Sequence, residues 1–153
     1  MTEITITALK DLNPRDLRPL LDESLAEGYR FVQTLWDEYE SGKNRFDAPG
    51  AVLLGAFEGE RLIGVGGVQP DPYLKLTEAG RIRHVYVLHA YRRQGVGKRL
   101  LDPLIEHAQD HFEVLTLRTN TPSAARFMRR LALITPQSTQ KRPTFYALFD
   151  TKP

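Results

Sequence analysis

The stretch RIRHVYVLHAYRRQGVGKRLL, Arg81–Leu101, decides how the rest of the chain is read. Its first half, Arg81 to Leu88, is rich in β-branched residues and reads as a strand. Its second half opens an amphipathic helix in which Val96, Leu100, Leu101, Leu104, Ile105 and Ala108 share one apolar face. Between the two lies Arg92-Arg93-Gln94-Gly95-Val96-Gly97. A glycine-rich turn from strand to helix exposes backbone N–H groups, and the helix N-terminus adds roughly half a positive charge. Together they make a cradle suited to a pyrophosphate. Gly95 and Gly97 allow tight backbone geometry and close approach of a ligand. Arg92, Arg93, Lys98 and Arg99 surround the turn with formal charge. The plainer alternative is a tight turn followed by a solvated basic edge.

Two common phosphate motifs do not fit. A Walker A loop requires Gly-Lys followed by Ser or Thr, whereas Gly97-Lys98 is followed by Arg99. A dinucleotide-binding turn requires a third glycine, which is missing after Gly95-Val96-Gly97.

Working outward, the chain has 153 residues, 41% hydrophobic and 26% charged, the profile of one globular domain spanning 1–153. The formal net charge of +2 is too mild to announce a nucleic-acid partner. There is no cysteine, which excludes disulfides, thiolate metal sites and a cysteine nucleophile. The N-terminal stretch lacks the pattern of a signal peptide, and no apolar run approaches membrane-spanning length. A cytoplasmic protein with no membrane partner is expected.

Ile4 and Ile6 alternate with threonine as a first strand. Asn13 and Pro14 then read as the cap and first residue of a helix that Pro19 should delay or bend. Gly28 separates it from a second helix carrying Phe31, Val32, Leu35, Trp36 and Tyr39. Glu40 to Gly50 reads as a loop. Val52 to Phe57 and Leu62 to Val68 form a hairpin about Glu58-Gly59-Glu60. Pro103 should kink the helix after the glycine turn. Glu113 to Thr119 is a strand, Thr121 caps a fourth helix, and Thr144 to Asp150 closes the chain as a strand. The order β-α-α-β-β-β-α-β-α-β predicts an α+β fold, a mixed and mostly antiparallel sheet with helices packed against it.

The segment VYVLHAYRRQGVGKRLL closely resembles motif A of the GNAT superfamily of N-acetyltransferases, whose signature is [Q/R]-x-x-G-x-[G/A]. LRTNTPSAARFMRRLAL, Leu117–Leu133, is similar to the family's later motif, and EGYRFVQTLWDEYESGKNRFDAPG resembles its substrate-side helices and loop. The resemblance implies a twisted sheet of six to seven strands, splayed between the fourth and fifth and flanked by about four helices. It implies acetyl-CoA as cosubstrate, with the pantetheine arm paired to Val85, Tyr86 and Val87 and the phosphates held by Arg92, Arg93, Gln94, Gly95, Val96, Gly97 and Lys98. Asn120 matches a cofactor-contacting asparagine, and Ser123, Arg126 and Phe127 follow along the thiol end. Direct acetyl transfer to a primary amine is expected, with no metal. The resemblance leaves a homodimer through the C-terminal strands open.

The chain departs from the family at its acid–base positions. Met128 stands where many members carry a tyrosine that protonates the thiolate, and no glutamate opens the strand Arg81-Ile82-Arg83-His84. His84 is a candidate base because histidine titrates near neutrality; a histidine packed against the sheet is the plainer alternative. Tyr86, on the same strand face, and Tyr146, on the last strand, are candidate acids, with core packing as their alternative. His107 and His111 lie four apart, but the spacing lacks the glutamate of a zinc helix, and they read as solvent-facing. Trp36, Arg45 and Phe46 are candidates for the acceptor pocket, Trp36 with the core as its alternative. A rival reading is a catalytically weak or inactive member that binds acyl-CoA as a sensor or interaction module.

Overall fold

A computed structural model describes residues 3–71, 79–119 and 144–149; for 117–119 and 144–149 it describes the backbone. Six strands form one sheet in chain order, flanked on opposite faces by α3 and by the α1–α2 pair. β1 (Ile4–Ala8), β2 (Val52–Glu58), β3 (Arg61–Pro70) and β4 (Ala79–Val87) pair antiparallel, whereas β5 (Val114–Thr119) and β6 (Thr144–Phe149) continue the sheet in parallel. The expected mixed α+β sheet is present with six strands; the helix expected from Thr121 lies outside the described residues.

α1 (Pro14–Ala26) begins where the sequence predicts, with the Asn13 side chain accepting the Arg15 N–H at 2.8 Å. Pro19 does not delay it, and Pro103 lies inside an uninterrupted α3 (Val96–Gln109). Each proline removes one backbone bond, to the carbonyl of Arg15 or Arg99. Both those residues are exposed, so water can take the freed acceptor. α2 (Phe31–Ser41) ends at Gly42 in the left-handed conformation, a backbone that glycine adopts without strain.

The six residues expected on the apolar face of α3 are all buried. Burying each large aliphatic among them is worth about 1.5–3 kcal/mol, which holds this helix on the sheet. Gly64 and Gly66 of β3 let it sit close, since a Cβ at either would lie 3.2 Å from Leu100 or Leu104. The opposite face carries Leu17, Leu20, Val32 and Leu35 from α1 and α2. Tyr39 fixes α2 further: its hydroxyl accepts the Leu12 N–H at 3.1 Å and donates to the Lys10 carbonyl at 3.2 Å.

Candidate functional site

Two interruptions of β4 shape the site. The first is a bulge. Val65 pairs with Tyr86 but Gly67 pairs with Arg83, so Gly66 alone spans His84 and Val85. His84 takes φ +60, a strained conformation for a side chain of that size. The second is a splay. β4 and β5 pair from Ala79–Val114 to Ile82–Leu117 and then part. Beyond that point β4 runs on to Val87 with β3 as its ladder partner, and β5 runs on to Thr119 with β6. The parting strands offer a slot lined by backbone donors and acceptors, the form an extended amide-bearing chain would fit. At the closed end, the Thr116 hydroxyl donates to the buried Asp71 carboxylate, with the Gly80 carbonyl 3.3 Å away.

The glycine turn follows directly. After a single 3-10 turn, His89–Tyr91, the chain passes through Arg93 at φ +62 and Gly95 at φ +80, and α3 starts at Val96. The first bond of the helix runs from Arg99 N–H to the Gly95 carbonyl at 3.0 Å, leaving the amides of Val96, Gly97 and Lys98 without intrahelical acceptors. Among the described residues no side chain caps them. A Cβ built on Gly95 meets nothing within 4 Å, so the space beside the turn is open. Open space, uncapped amides and the helix dipole fit an anionic group such as a pyrophosphate.

The side chains around the turn are less available than their charges suggest. Arg92 donates through Nε to the Val87 carbonyl at 2.8 Å, and through Nη1 and Nη2 to Glu27 at 3.0 and 2.7 Å. Its guanidinium also lies 5.2 Å from the Tyr86 ring centre. Lys98 is paired with Asp102 at 2.6 Å. Gln94 donates back to the Ala90 carbonyl at 3.2 Å. Arg93 and Arg99 are exposed, without an ion pair among the described residues. The charged Arg92 hydrogen bonds, joined by one from Tyr86, hold the Glu27 carboxyl down at about 2.

Neither described candidate for proton transfer is free to act as expected. The His84 ring is buried, its Nδ1 lies 2.9 Å from the Phe31 carbonyl, and its Nε2 has no partner among the described residues. Since a carbonyl accepts, Nδ1 carries the proton and Nε2 the lone pair. Burial, then the nearby Arg83 charge, lowers the pKa to about 3. So weak a base takes a proton from an amine with poor driving force. The Tyr86 phenol donates to Glu27, with Glu23 Oε1 2.8 Å away, and burial followed by these carboxylates pushes its pKa up. It is a weak acid whose proton is already committed. Tyr146 lies opposite Thr116 in β6, with its side chain outside the described residues, as are Asn120, Ser123, Arg126, Phe127 and Met128.

The acceptor-side candidates gather where α2 and its loop cover β4. Phe46 is buried at φ +56 over Gly67, where a Cβ would come within 2.6 Å of its ring, and its edge faces His84 at 6.0 Å between centroids. Its N–H donates to Asn44 Oδ1 at 3.0 Å. Arg45 is exposed, its guanidinium 5.0 Å from the Tyr39 ring. Trp36 is half-buried and stacks on Tyr39 of the same helix at 6.4 Å between ring centroids. Arg83 turns toward α2 and pairs with Glu38 at 3.3 Å. His107 is not solvent-facing as expected: its Nε2 lies 3.2 Å from the Gly50 carbonyl. Among the described residues no three metal-ligating side chains cluster, and no helix is long and apolar enough to cross a membrane.

Glu23, Glu27 and Glu38 were not singled out by sequence. Two carboxylates four apart, in the last turn and at the C-cap of α1, are an ordinary solvated pattern. Their distinction lies in which residues of β4 and the turn they meet.

The sheet thus splays directly beside a glycine turn that opens a helix. A family model described as acetyltransferase (GNAT) family matches residues 15–132, and the chain belongs to that family. Among solved structures it is similar to a candidate acetyltransferase from Exiguobacterium sp. 255-15. They share 25% identity and a TM-score of 0.73 over 93% of this chain and 91% of that one. A GNAT-family acetyltransferase from Staphylococcus aureus Mu50 shares the fold at 17% identity and TM-score 0.67, over 91% and 93% of the two chains. Glucosamine-6-phosphate N-acetyltransferase from Arabidopsis thaliana does so at 17% and 0.58, over 90% and 95%.

Proposed function

We propose that the protein is an acetyl-CoA-dependent N-acetyltransferase of one domain, acting in the cytoplasm on a primary amine. The observation that carries this reading is the juxtaposition of the parted β4 edge with the uncapped N-terminus of α3. Acetyl-CoA supplies an activated acyl group as a thioester. The chain's backbone at Val85, Tyr86 and Val87 would pair with its pantetheine arm. The amides from Arg93 to Lys98 would take its phosphates, with Arg93 as the nearest uncommitted cation. An amide of the bulged strand would stabilise the developing oxyanion.

Holding two reactants in line contributes about 7–11 kcal/mol toward a barrier without any acid or base. With His84 weakly basic and Tyr86 committed, the amine loses its proton to water. An α-amine, with an ordinary pKa of about 7.7–8.0, does so far more readily near neutrality than a lysine at about 10.4. Phe46, Trp36 and Arg45 border the acceptor side. The same commitments of His84 and Tyr86 favour a second reading, an acyl-CoA-binding sensor with weak or no turnover.

The test is CoA-thiol release from acetyl-CoA in the presence of amines, α-amino acids and peptides, with thermal shift by CoA alongside. CoA binding with amine-dependent thiol release supports the transferase. CoA binding without release from any amine supports the sensor, and no binding at millimolar CoA overturns both.

A further inference from the structure

We propose that Glu27, at the C-cap of α1, is a positioning residue for the cofactor turn, acting through Arg92. The inference rests on the reading of that turn as the phosphate site. The turn's side-chain bonds are mostly local: Gln94 reaches back to Ala90, and Arg92 Nε to Val87. Arg93 and Gly95 are left-handed and exposed, so the turn has little packing of its own to fix it. Ties to distant elements come from β2, where Glu58 accepts the Tyr91 hydroxyl at 2.8 Å, and, at both ends of the 3-10 turn, from α1. Glu23 Oε1 accepts the His89 N–H at 2.7 Å, at the start of the 3-10 turn. One helical turn further on, Glu27 accepts both terminal nitrogens of Arg92, at its end. Two carboxylates four residues apart thus grip both ends of the segment that leads into the glycines. The Tyr86 phenol closes the network from beneath, contacting both carboxylates.

The chemistry of the location makes this arrangement informative. A pyrophosphate site gains nothing electrostatically from carboxylates nearby; an acidic residue there opposes anion binding unless it serves another end. Glu27 spends the guanidinium of Arg92 on itself. Arg92 therefore acts as a strut, and the backbone amides carry the ligand. The bidentate geometry matters because a planar guanidinium holds two carboxylate oxygens side by side on its terminal nitrogens while Nε reaches a carbonyl, whereas an ammonium directs all its donors from one atom.

This separates two predictions by sign. If Glu27 were only a nearby charge, Glu27→Gln would tighten binding of coenzyme A by removing repulsion. If it positions the turn, the same change weakens binding about tenfold although the site has become more positive. Arg92→Lys should weaken binding similarly, and the double variant should be no worse than Arg92→Lys alone, because both changes break one strut. Titration calorimetry with coenzyme A on the four folded proteins reads this directly. KM for acetyl-CoA should rise in parallel, with kcat at saturation within about twofold of the parent. Unchanged or tighter binding by Glu27→Gln, or losses that add in the double variant, would overturn the proposal. Parent protein that binds no coenzyme A would instead remove the phosphate-site reading, and this proposal with it.

Discussion

The Nδ1 of His84 lies 2.9 Å from the carbonyl oxygen of Phe31, joining the bulge of β4 to the first residue of α2 across 53 positions of sequence. That contact sets the tautomer, and the tautomer leaves the lone pair of Nε2 buried without a donor among the described residues. Protonating the ring would place a charge in an apolar wall beside Arg83, where burial is the larger penalty.

Folding therefore favours the neutral ring. The ordinary histidine pKa of 6.5 falls to about 3 on folding. The stability gained is complete above pH 6.5 and is lost as pH falls from 6.5 toward 3. At pH 5 one such proton amounts to about 2 kcal/mol, or roughly 4–8 °C in Tm for a chain of this size. Asparagine tolerates a positive φ, so His84→Asn should fold. Its Tm should fall less between pH 7 and pH 5 than the parent's. Parallel Tm curves would show that the ring does not titrate with unfolding.

Gly95 combines φ +80 with open space for a Cβ. Gly95→Ala should cost about 1–2 kcal/mol through its left-handed backbone alone. Gly95→Glu adds a carboxylate beside the uncapped amides and should weaken coenzyme A binding at least tenfold beyond the alanine variant. Equal affinities of the two variants by calorimetry would place the phosphates elsewhere.

Gly67 exists so that Phe46 can lie on it: a Cβ there would sit 2.6 Å from Cε1 of the ring. Gly67→Ala should displace the ring from beside His84 and cost about 1–3 kcal/mol by overpacking. The acceptor's KM should rise while the affinity for coenzyme A stays at the parent value. A fall in coenzyme A affinity with an unmoved acceptor KM would put this wall outside the acceptor site.

Phe112 plays the same part at the closed end of the splay, where a Cβ on Gly80 would come within 2.5 Å of its ring. Gly80→Ala should lose about 1–3 kcal/mol in denaturant melts. Adding Phe112→Leu should recover part of that loss, since the smaller side chain vacates the contested space. Strictly additive losses would mean that the two positions do not compete.

Much of the fold is readable because it depends on near neighbours. Asn13 caps α1 through a residue two positions away, and the apolar stripe of α3 follows from helical spacing alone. Pro19 did not delay its helix, because a proline's cost depends on what surrounds the freed carbonyl, and that of Arg15 belongs to an exposed residue. The roles of Arg92, His84 and Tyr86 were less readable. Their residue types suggest a cation, a base and an acid, yet burial and partners far along the chain already engage each side chain.

By itself the sequence determines the order of the elements, the face each helix buries, and a glycine turn that presents amides at a helix start. These rest on periodicity and backbone freedom, which act within a few residues. The tertiary structure alone decides that Glu27 meets Arg92 across 65 positions and that Arg83 meets Glu38 across 45. It also decides that the carbonyl of Phe31 reaches His84. Charge, protonation and hydrogen bonding are set by whatever lies within a few ångströms, and only packing brings those groups together.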